Sequence, residues 1–273
     1  MTGLLILLNR PDQVAALLDA ARDVAGRLAV RRLDVAAARE PPDDTILPTE
    51  EILTEADRAR IRAAQRAWAG ALHRQVVAWA DALRARDPAA LAPDGLALNW
   101  LDPEMSAARL IMLHAADDTA IVAGFPHPHD GDQARRGLHA ALFDSRRPVL
   151  LVPEGWHAGV GRRILLAWTD MPACHRAVAA ARPLIAQAEQ VAVLDRDGSA
   201  PPANVPGGRI LPSPPPGGSA AEQADAILAA AGAAASDLLV IGGYTHGVLH
   251  DRLRGSVTDQ ILAHAARPTW IQH

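Results

Sequence analysis

Lysine is absent from this 273-residue chain, in which all 27 cationic side chains are arginine. A Walker A loop needs a lysine that reaches the phosphates, so that class of nucleotide site is excluded. Cysteine is nearly absent too: the single Cys174 excludes an internal disulfide and fits a reducing compartment. Neighbouring helical side chains point in different directions, so we interpret Cys174 as a small buried side chain rather than as a thiol–imidazole partner of His175.

Long apolar runs and blocks of positive charge are also missing. No segment approaches the roughly 18 consecutive apolar residues of a membrane-spanning helix. The apolar run at the N-terminus is too short for a signal peptide and lacks a basic start, so we expect a cytoplasmic protein. A net charge of −4 without a basic block gives no reason to expect a nucleic-acid partner. The chain consists of 49% hydrophobic and 21% charged residues, which is typical of a soluble globular protein.

The sequence repeats itself once. Three pairs of segments correspond: 4–8 with 164–168, 120–124 with 238–242, and 147–152 with 267–272. A tandem duplication explains all three pairs with one assumption. We therefore predict two domains, 1–153 and 162–273.

The second unit shows alternating strand and helix patterns. The expected strands are 164–168, 190–195, 209–211, 237–242 and 268–272, and the expected helices are 172–187, 219–233 and 255–266. Alternation at these lengths predicts a parallel sheet covered by helices on both faces. The fold class is thus α/β, with a doubly wound sheet in each unit.

The first unit is larger because it contains a long helical stretch over about 50–85. Expected strands surround this stretch at 3–8, 28–34, 95–101, 119–123 and 149–152. Thr49 or Thr54 would cap the start of the helix. Two interpretations of the helix remain open: an elongated cover over the domain, or a partner or dimer surface built on Trp68 and Trp79.

The most informative pattern lies near the C-terminus. An apolar run, Leu238–Ile241, stops at Gly242, and after a polar loop Gly255 and Ser256 open a helical pattern. Glycine amides and a hydroxyl at a helix N-terminus form a site for an anion, most often a phosphate. In open parallel sheets, ligands bind beyond the carboxyl ends of the strands, which is where this loop begins.

This stretch resembles the nucleotide-binding signature of the universal stress protein family. The signature reads Gly, two residues, Gly, nine residues, then Gly followed by Ser or Thr. Gly242, Gly255 and Ser256 stand at matching places, whereas Thr245 replaces the middle Gly. The resemblance implies two tandem domains with an adenine nucleotide alpha hydrolase-like, Rossmann-like fold.

The resemblance also implies a site for an adenine nucleotide (ATP, with Mg²⁺) in the second unit. The family's acidic residue after the first strand corresponds to Thr169 or Asp170, depending on a one-residue choice of alignment. The other implied contacts are Gly242 and Thr245 beside the phosphates, Gly255, Ser256 and the amide of Val257 around the phosphate tail, and Ala167 and Leu194 flanking the adenine.

Two functional hypotheses differ in whether Thr245 permits a phosphate to bind. A left-handed backbone conformation, which glycine adopts freely, costs a β-branched residue roughly 1–2 kcal/mol or more. In an allowed conformation the Thr245 hydroxyl could contact a phosphate, or its side chain could fill the space that a phosphate needs. The alternative to a nucleotide-binding protein is therefore an interaction or scaffold protein that has lost its ligand site.

The first unit departs further from the signature. Counting back from Pro148 as from Pro268 places Arg135 and Arg136 at the helix start, and we expect no ATP bound there in the family's manner. The segment 127–130, His-Pro-His-Asp, is interpreted as a polar loop rather than a metal site. The pair His246 and His250 is likewise not interpreted as a metal site.

No catalytic machinery is legible in the sequence. Ser256 lacks the Gly-x-Ser-x-Gly elbow of a serine nucleophile, which leaves an enzyme on a related scaffold as the more distant alternative. The resemblance implies a cytoplasmic stress-response or regulatory protein with at most weak ATP hydrolysis and an unknown protein partner. Family domains commonly pair through their last strands, so we expect 149–152 beside 269–272 within one chain, with a homodimer as a further possibility.

Overall fold

The computed structural model describes residues 1–44, 53–91, 95–115, 119–199, 205, 208–211, 218–243 and 256–273. Two of the implied contact residues, Thr245 and Gly255, lie outside this part of the chain, as do His246 and His250.

Strands and helices alternate along both halves of the chain. The strands are β1 (Gly3–Leu7), β2 (Arg32–Ala36), β3 (Ala97–Leu101), β4 (Thr119–Gly124), β5 (Val149–Val152), β6 (Arg163–Trp168), β7 (Gln190–Asp195), β8 (Arg209–Leu211), β9 (Leu238–Gly242) and β10 (Thr269–Gln272). The helices are α1 (Val14–Leu28), α2 (Glu55–Arg86), α3 (Ala107–His114), α4 (Asp132–His139), α5 (Pro172–Ala186), α6 (Ala220–Ala233) and α7 (Val257–His264). Short 3-10 helices cover Pro11–Gln13 and Pro42–Asp44, and a π segment covers Ala140–Asp144.

Within the described ranges, the ten strands join one sheet in the order β3-β2-β1-β4-β5-β10-β9-β6-β7-β8. Every neighbouring pair is parallel except β5 and β10, which lie antiparallel with Leu150 opposite Trp270. Each half therefore contributes five strands in the same relative order, and the segments 149–152 and 269–272 lie side by side as expected. The α/β class with a doubly wound parallel sheet is confirmed.

The two faces of the sheet carry separate apolar cores. Along β1, Leu4 and Ile6 belong to one core and Leu5 and Leu7 to the other, as the two-residue period of a strand requires. Helices α1, α2 and α5 cover the first face, and α3, α4, α6 and α7 cover the second. Both faces of the central strands are buried, which explains why strands such as β1, β4 and β5 read as continuous apolar runs.

The predicted strand 28–34 begins too early. Helix α1 continues to Leu28 and ends at Ala29, whose φ of 54° is in the left-handed region, so that β2 begins only at Arg32. The apolar run at 28–30 is therefore the end of a helix and its turn. A short apolar run alone does not distinguish these structures.

Helix α2 begins at one of the two predicted caps. The Thr54 hydroxyl accepts a hydrogen bond from the Asp57 amide at 3.2 Å, and the Asp57 carboxylate accepts one from the Thr54 amide at 3.3 Å. This reciprocal capping box satisfies two amides that have no partner inside the helix. Thr54 therefore marks the helix start.

Both tryptophans of α2 face their own chain. The Trp79 indole is 8% exposed and donates a hydrogen bond to Asp19 in α1 at 2.9 Å. The Trp68 indole donates to the Asn9 carbonyl, just after β1, at 3.2 Å. Packing and hydrogen bonding inside the chain account for both indoles, which favours the interpretation of α2 as a cover helix over that of a partner surface. Helix α2 is a cover over α1.

One buried carboxylate connects the starts of two strands, β6 and β9, in the second half. Asp237, just before β9, accepts hydrogen bonds from the amides of Gly161, Arg162 and Arg163 at 2.8–3.2 Å. Burial raises the pKa of Asp237, while these three amides favour its charged form. The starts of β6 and β9 are thereby held together, which fixes where their carboxyl ends lie.

Among the described residues, no helix combines the length and apolarity that crossing a membrane requires.

Candidate functional site

The carboxyl ends of β6 and β9 lie side by side where the strand order of the second half reverses. Ala167 of β6 is in register with Leu194 of β7 on one side and with Ile241 of β9 on the other. Two implied adenine contacts, Ala167 and Leu194, are thus brought together, although their side chains are 5% and 2% exposed. A ligand at this edge would meet the strand ends and the loops after them rather than these side chains.

Gly242, the last residue of β9, lies directly against the first turn of α5. A Cβ at Gly242 would come within 2.5 Å of the Cys174 amide nitrogen and 2.8 Å of its Cα. These are backbone atoms and cannot move aside cheaply, so the helix can approach the strand end only because position 242 is glycine. Packing of α5 therefore explains Gly242 without any ligand.

Cys174 is a buried residue of the same contact, as predicted. Its side chain is 1% exposed and its thiol donates to the Ala167 carbonyl at 3.5 Å. Burial raises the pKa of the Cys174 thiol, so it stays protonated and unreactive near neutral pH.

Ser256 is the N-cap of α7. Its hydroxyl accepts a hydrogen bond from the Asp259 amide at 3.1 Å, and the Asp259 carboxylate accepts one from the Ser256 amide at 3.2 Å. The capping box thus engages both polar groups of Ser256 and places a carboxylate at the positive end of the helix dipole. Val257 is the first residue of α7, and its amide takes no part in the box.

The two alternatives for the acidic position, Thr169 and Asp170, have different surroundings. Thr169 is half-buried beside the Cys174 thiol, whereas Asp170 is exposed. The Asp170 carboxylate lies 2.6 Å from His175 Nε2. Of these two residues, the exposed Asp170 is the one whose side chain a ligand at the end of β6 could reach.

Sequence reasoning missed the loop that follows β7. Trp168 donates its indole hydrogen to the Ser199 hydroxyl at 2.9 Å, and the Asp170 amide donates to Asp197 at 2.7 Å. Although desolvation opposes it, hydrogen bonds from Ser199 and Asp170 lower the pKa of Asp197. The Asp-Arg-Asp-Gly-Ser sequence at 195–199 signals a turn through Gly198, whose φ is 74°. The hydrogen bonds between this loop and the end of β6 could not be inferred from the sequence, because the bonded residues are far apart along the chain.

The first half differs from the second at the start of its last helix. Helix α4 begins at Asp132 with Gly131 as N-cap and no side-chain cap, so the prediction of a helix start at Arg135 and Arg136 is wrong. Counting back from the proline fails because a five-residue π segment follows the eight residues of α4, whereas α7 has eight residues alone. Within α4, Arg136 donates to the buried Glu40 carboxylate at 2.6 and 2.7 Å.

The His-Pro-His-Asp segment of the first half is held as a loop by its aspartate. Asp130 accepts a hydrogen bond from the His127 amide at 2.8 Å and from Arg10 at 2.9 Å. Within the described part of the chain, no three His, Cys, Asp or Glu side chains are grouped as metal ligands. The Asp130 carboxylate is used to order the loop and to neutralise Arg10.

Comparisons with known proteins give matches by structure. No protein-family model matches the sequence, and no curated protein matches it. A universal stress protein from Archaeoglobus fulgidus DSM 4304 is similar with a TM-score of 0.63 at 13% identity, over 99% of this chain and 95% of that one. A functionally unknown protein from Pseudomonas aeruginosa PAO1 is similar with a TM-score of 0.56 at 14% identity, over 100% and 92%.

A third solved structure gives the same result. A candidate universal stress protein from Pseudomonas aeruginosa UCBPP-PA14 is similar with a TM-score of 0.53 at 13% identity, over 99% of this chain and 92% of that one. Likeness at these identities is a likeness of fold. Over nearly its whole length, the chain has the fold of universal stress protein structures.

Proposed function

We propose that this chain is a stress-response regulatory protein that binds an adenine nucleotide in its second half. The observation that carries the proposal is the position of Ser256. It caps a helix that follows β9, in a chain with the universal stress protein fold and at the edge where parallel sheets bind ligands. The N-terminus of that helix is electrostatically suited to a phosphate.

Three groups would hold the nucleotide. The Val257 amide, which lies outside the capping box, would donate to a phosphate oxygen, and Ser256 would join it on giving up its bond to Asp259. Asp170, exposed after β6, would accept hydrogen bonds from ribose hydroxyls or contribute to a Mg²⁺ site. The adenine would lie at the ends of β6 and β7, where Ala167 and Leu194 are adjacent.

A second candidate function is that of a scaffold without a nucleotide. The α7 capping box favours it, because Ser256 already has partners and the Asp259 carboxylate repels a phosphate at the same helix end. Gly242 also favours it, since packing of α5 requires glycine there whether or not a ligand binds. Neither observation depends on the presence of Thr245 where the signature has glycine.

A thermal-shift titration with ATP, ADP and AMP, with and without Mg²⁺, distinguishes the two functions. A ligand that binds only the native state stabilises it by RT ln(1 + [L]/Kd), about 2.7 kcal/mol at a hundredfold excess over Kd. We expect a saturable rise in melting temperature that Asp170→Asn reduces. No rise at millimolar nucleotide would contradict the nucleotide site and favour the scaffold.

A further inference from the structure

One cation at the carboxyl edge of the second half has no oppositely charged partner. Arg196 is the first residue after β7, and its amide donates to the Trp168 carbonyl at the end of β6 at 3.0 Å. Its side chain is half-buried, and its guanidinium donates to the Gln223 carboxamide in the first turn of α6. Within the described part of the chain, no carboxylate forms an ion pair with Arg196.

Asp197, the next residue along the chain, does not neutralise this cation. Its carboxylate accepts hydrogen bonds from the Asp170 amide at 2.7 Å and the Ser199 amide at 3.2 Å, and it acts on Arg196 only at longer range. Burial lowers the pKa of Arg196, because the guanidinium loses part of its hydration there. A half-buried cation in these surroundings favours the binding of an anion from outside the chain.

The fold does not require an arginine at this position. In the register that matches β1 with β6 and β2 with β7, Arg196 corresponds to Ala38 of the first half. Ala38 is a small side chain, 6% exposed, that follows the equivalent strand. The same strand end is thus built without a cation in the first half, so that folding alone does not account for Arg196.

Arg196 lies beside the position proposed for the ribose. Asp170, the proposed ribose contact, follows β6, and neighbouring strands are about 4.8 Å apart, so the end of β7 is one strand away. Helix α7, where the 5′-phosphates are proposed to bind, follows β9 on the other side of β6. Helices α6 and α7 cover the same face of the sheet. Arg196 therefore lies across the ribose from the 5′-phosphates.

The groups at this edge match a ribose with one phosphorylated hydroxyl. A guanidinium binds a phosphate through two parallel N–H···O bonds, and Gln223 occupies only part of its five donors. In doubly wound dinucleotide sites an arginine near the ribose accommodates an added 2′-phosphate, and an acidic residue accepts a hydrogen bond from a free hydroxyl. Arg196 and Asp170 supply both kinds of group here.

We propose that the second half binds adenine nucleotides whose ribose carries a further phosphate on its 2′ or 3′ oxygen, and that Arg196 binds this phosphate. Asp170 accepts a hydrogen bond from the hydroxyl that remains free. The inference rests on the proposed nucleotide site, and it adds the class of nucleotide that this site selects.

Adenosine 3′,5′-bisphosphate and adenosine 2′,5′-bisphosphate are the probes, and calorimetric titration of the full-length protein measures their affinity. AMP lacks the further phosphate, whereas ADP has the same number of phosphates but carries both on the 5′ side. We expect one of the two bisphosphates to bind about tenfold more tightly than AMP, as one hydrogen-bonded contact to a charged group provides. The same bisphosphate should also bind more tightly than ADP.

Three variants assign the preference to one side chain. Arg196→Gln should remove the preference for the bisphosphate over AMP, and Arg196→Lys should keep part of it, because lysine retains the charge but not the paired donors. Arg209→Gln is the matched control: it removes the same charge from an exposed position on β8 and should leave the preference unchanged. Melting temperatures without ligand show whether each variant is folded.

Two results would overturn the inference. The first is a bisphosphate affinity no higher than that of AMP, or a preference that persists in Arg196→Gln. The second is ADP that binds as tightly as the better bisphosphate and is weakened equally by Arg196→Gln, since Arg196 would then contact the 5′-phosphates. If AMP and ATP bind but the bisphosphates gain nothing, this inference alone fails. Absence of binding by every nucleotide contradicts the nucleotide site itself, and with it this inference.

Discussion

Gly124 and Gly242 end equivalent strands of the two halves, yet different neighbours require them. Gly242 makes room for the backbone of α5 at Ala173 and Cys174, whereas Gly124 makes room for the side chain of Gln13. A backbone cannot turn away from an added methyl group, but a glutamine side chain can. The same residue type therefore has a different cost of replacement at the two sites.

Replacing each glycine by alanine measures that difference. Gly242→Ala should destabilise the fold by about 3 kcal/mol, the upper range for overpacking, because a helix must shift. Gly124→Ala should cost about 1 kcal/mol or less, because the Gln13 carboxamide can rotate. Urea unfolding checks both values. Equal costs would show that the two contacts do not differ in rigidity.

A negatively charged capping residue lies at the N-terminus of both α2 and α7, so the two helices can be compared. Both helices begin with the same box, Thr54 with Asp57 in α2 and Ser256 with Asp259 in α7. Only the second lies at the proposed phosphate position. The two helix starts therefore separate the effect of the cap on stability from its effect on a ligand.

We expect Asp57→Asn and Asp259→Asn each to lower the melting temperature slightly, through the weakened cap and dipole. Only Asp259→Asn should change nucleotide affinity, strengthening it about fivefold, since a charge facing a phosphate in water is worth about 1 kcal/mol. Calorimetric titration with ATP provides the measurement. Unchanged affinity in Asp259→Asn would move the phosphate away from α7.

Helix and strand types could be predicted where local signals decide them. The Thr54 cap is an example, because capping chemistry acts over a few residues. The positions of site residues could not, because they depend on distant partners. Arg136 and Glu40 are 96 residues apart, and the π segment that displaces α4 leaves no pattern to count.

The same distinction applies to the candidate sites. Gly242 and Ser256 were found through a signature, but the neighbours that explain them, Cys174 and Asp259, emerge only from packing and capping geometry. Gln13 carries no motif at all. Its close contact with Gly124 depends on packing between residues far apart in the chain, which a sequence does not display.

The continuous sheet predicts how the two halves behave when separated. Because β5 and β10 are hydrogen-bonded to each other, cutting the chain between 153 and 162 would leave each piece with an exposed apolar edge strand. We expect the fragments 1–153 and 162–273 to self-associate when alone and to form a one-to-one complex when mixed. Light scattering after size-exclusion chromatography would show this. Two stable, monomeric fragments would mean that the strand pairing contributes little.

The antiparallel pairing of β5 and β10 relates the two halves by an approximate two-fold arrangement in which each half has its own sequence. In a homodimer, symmetry imposes every substitution on both subunits. Here Arg10 follows β1 and Asp170 follows β6, so that equivalent strand ends carry opposite charges. Because the two halves have separate sequences, a substitution in one of them leaves the equivalent position of the other unchanged.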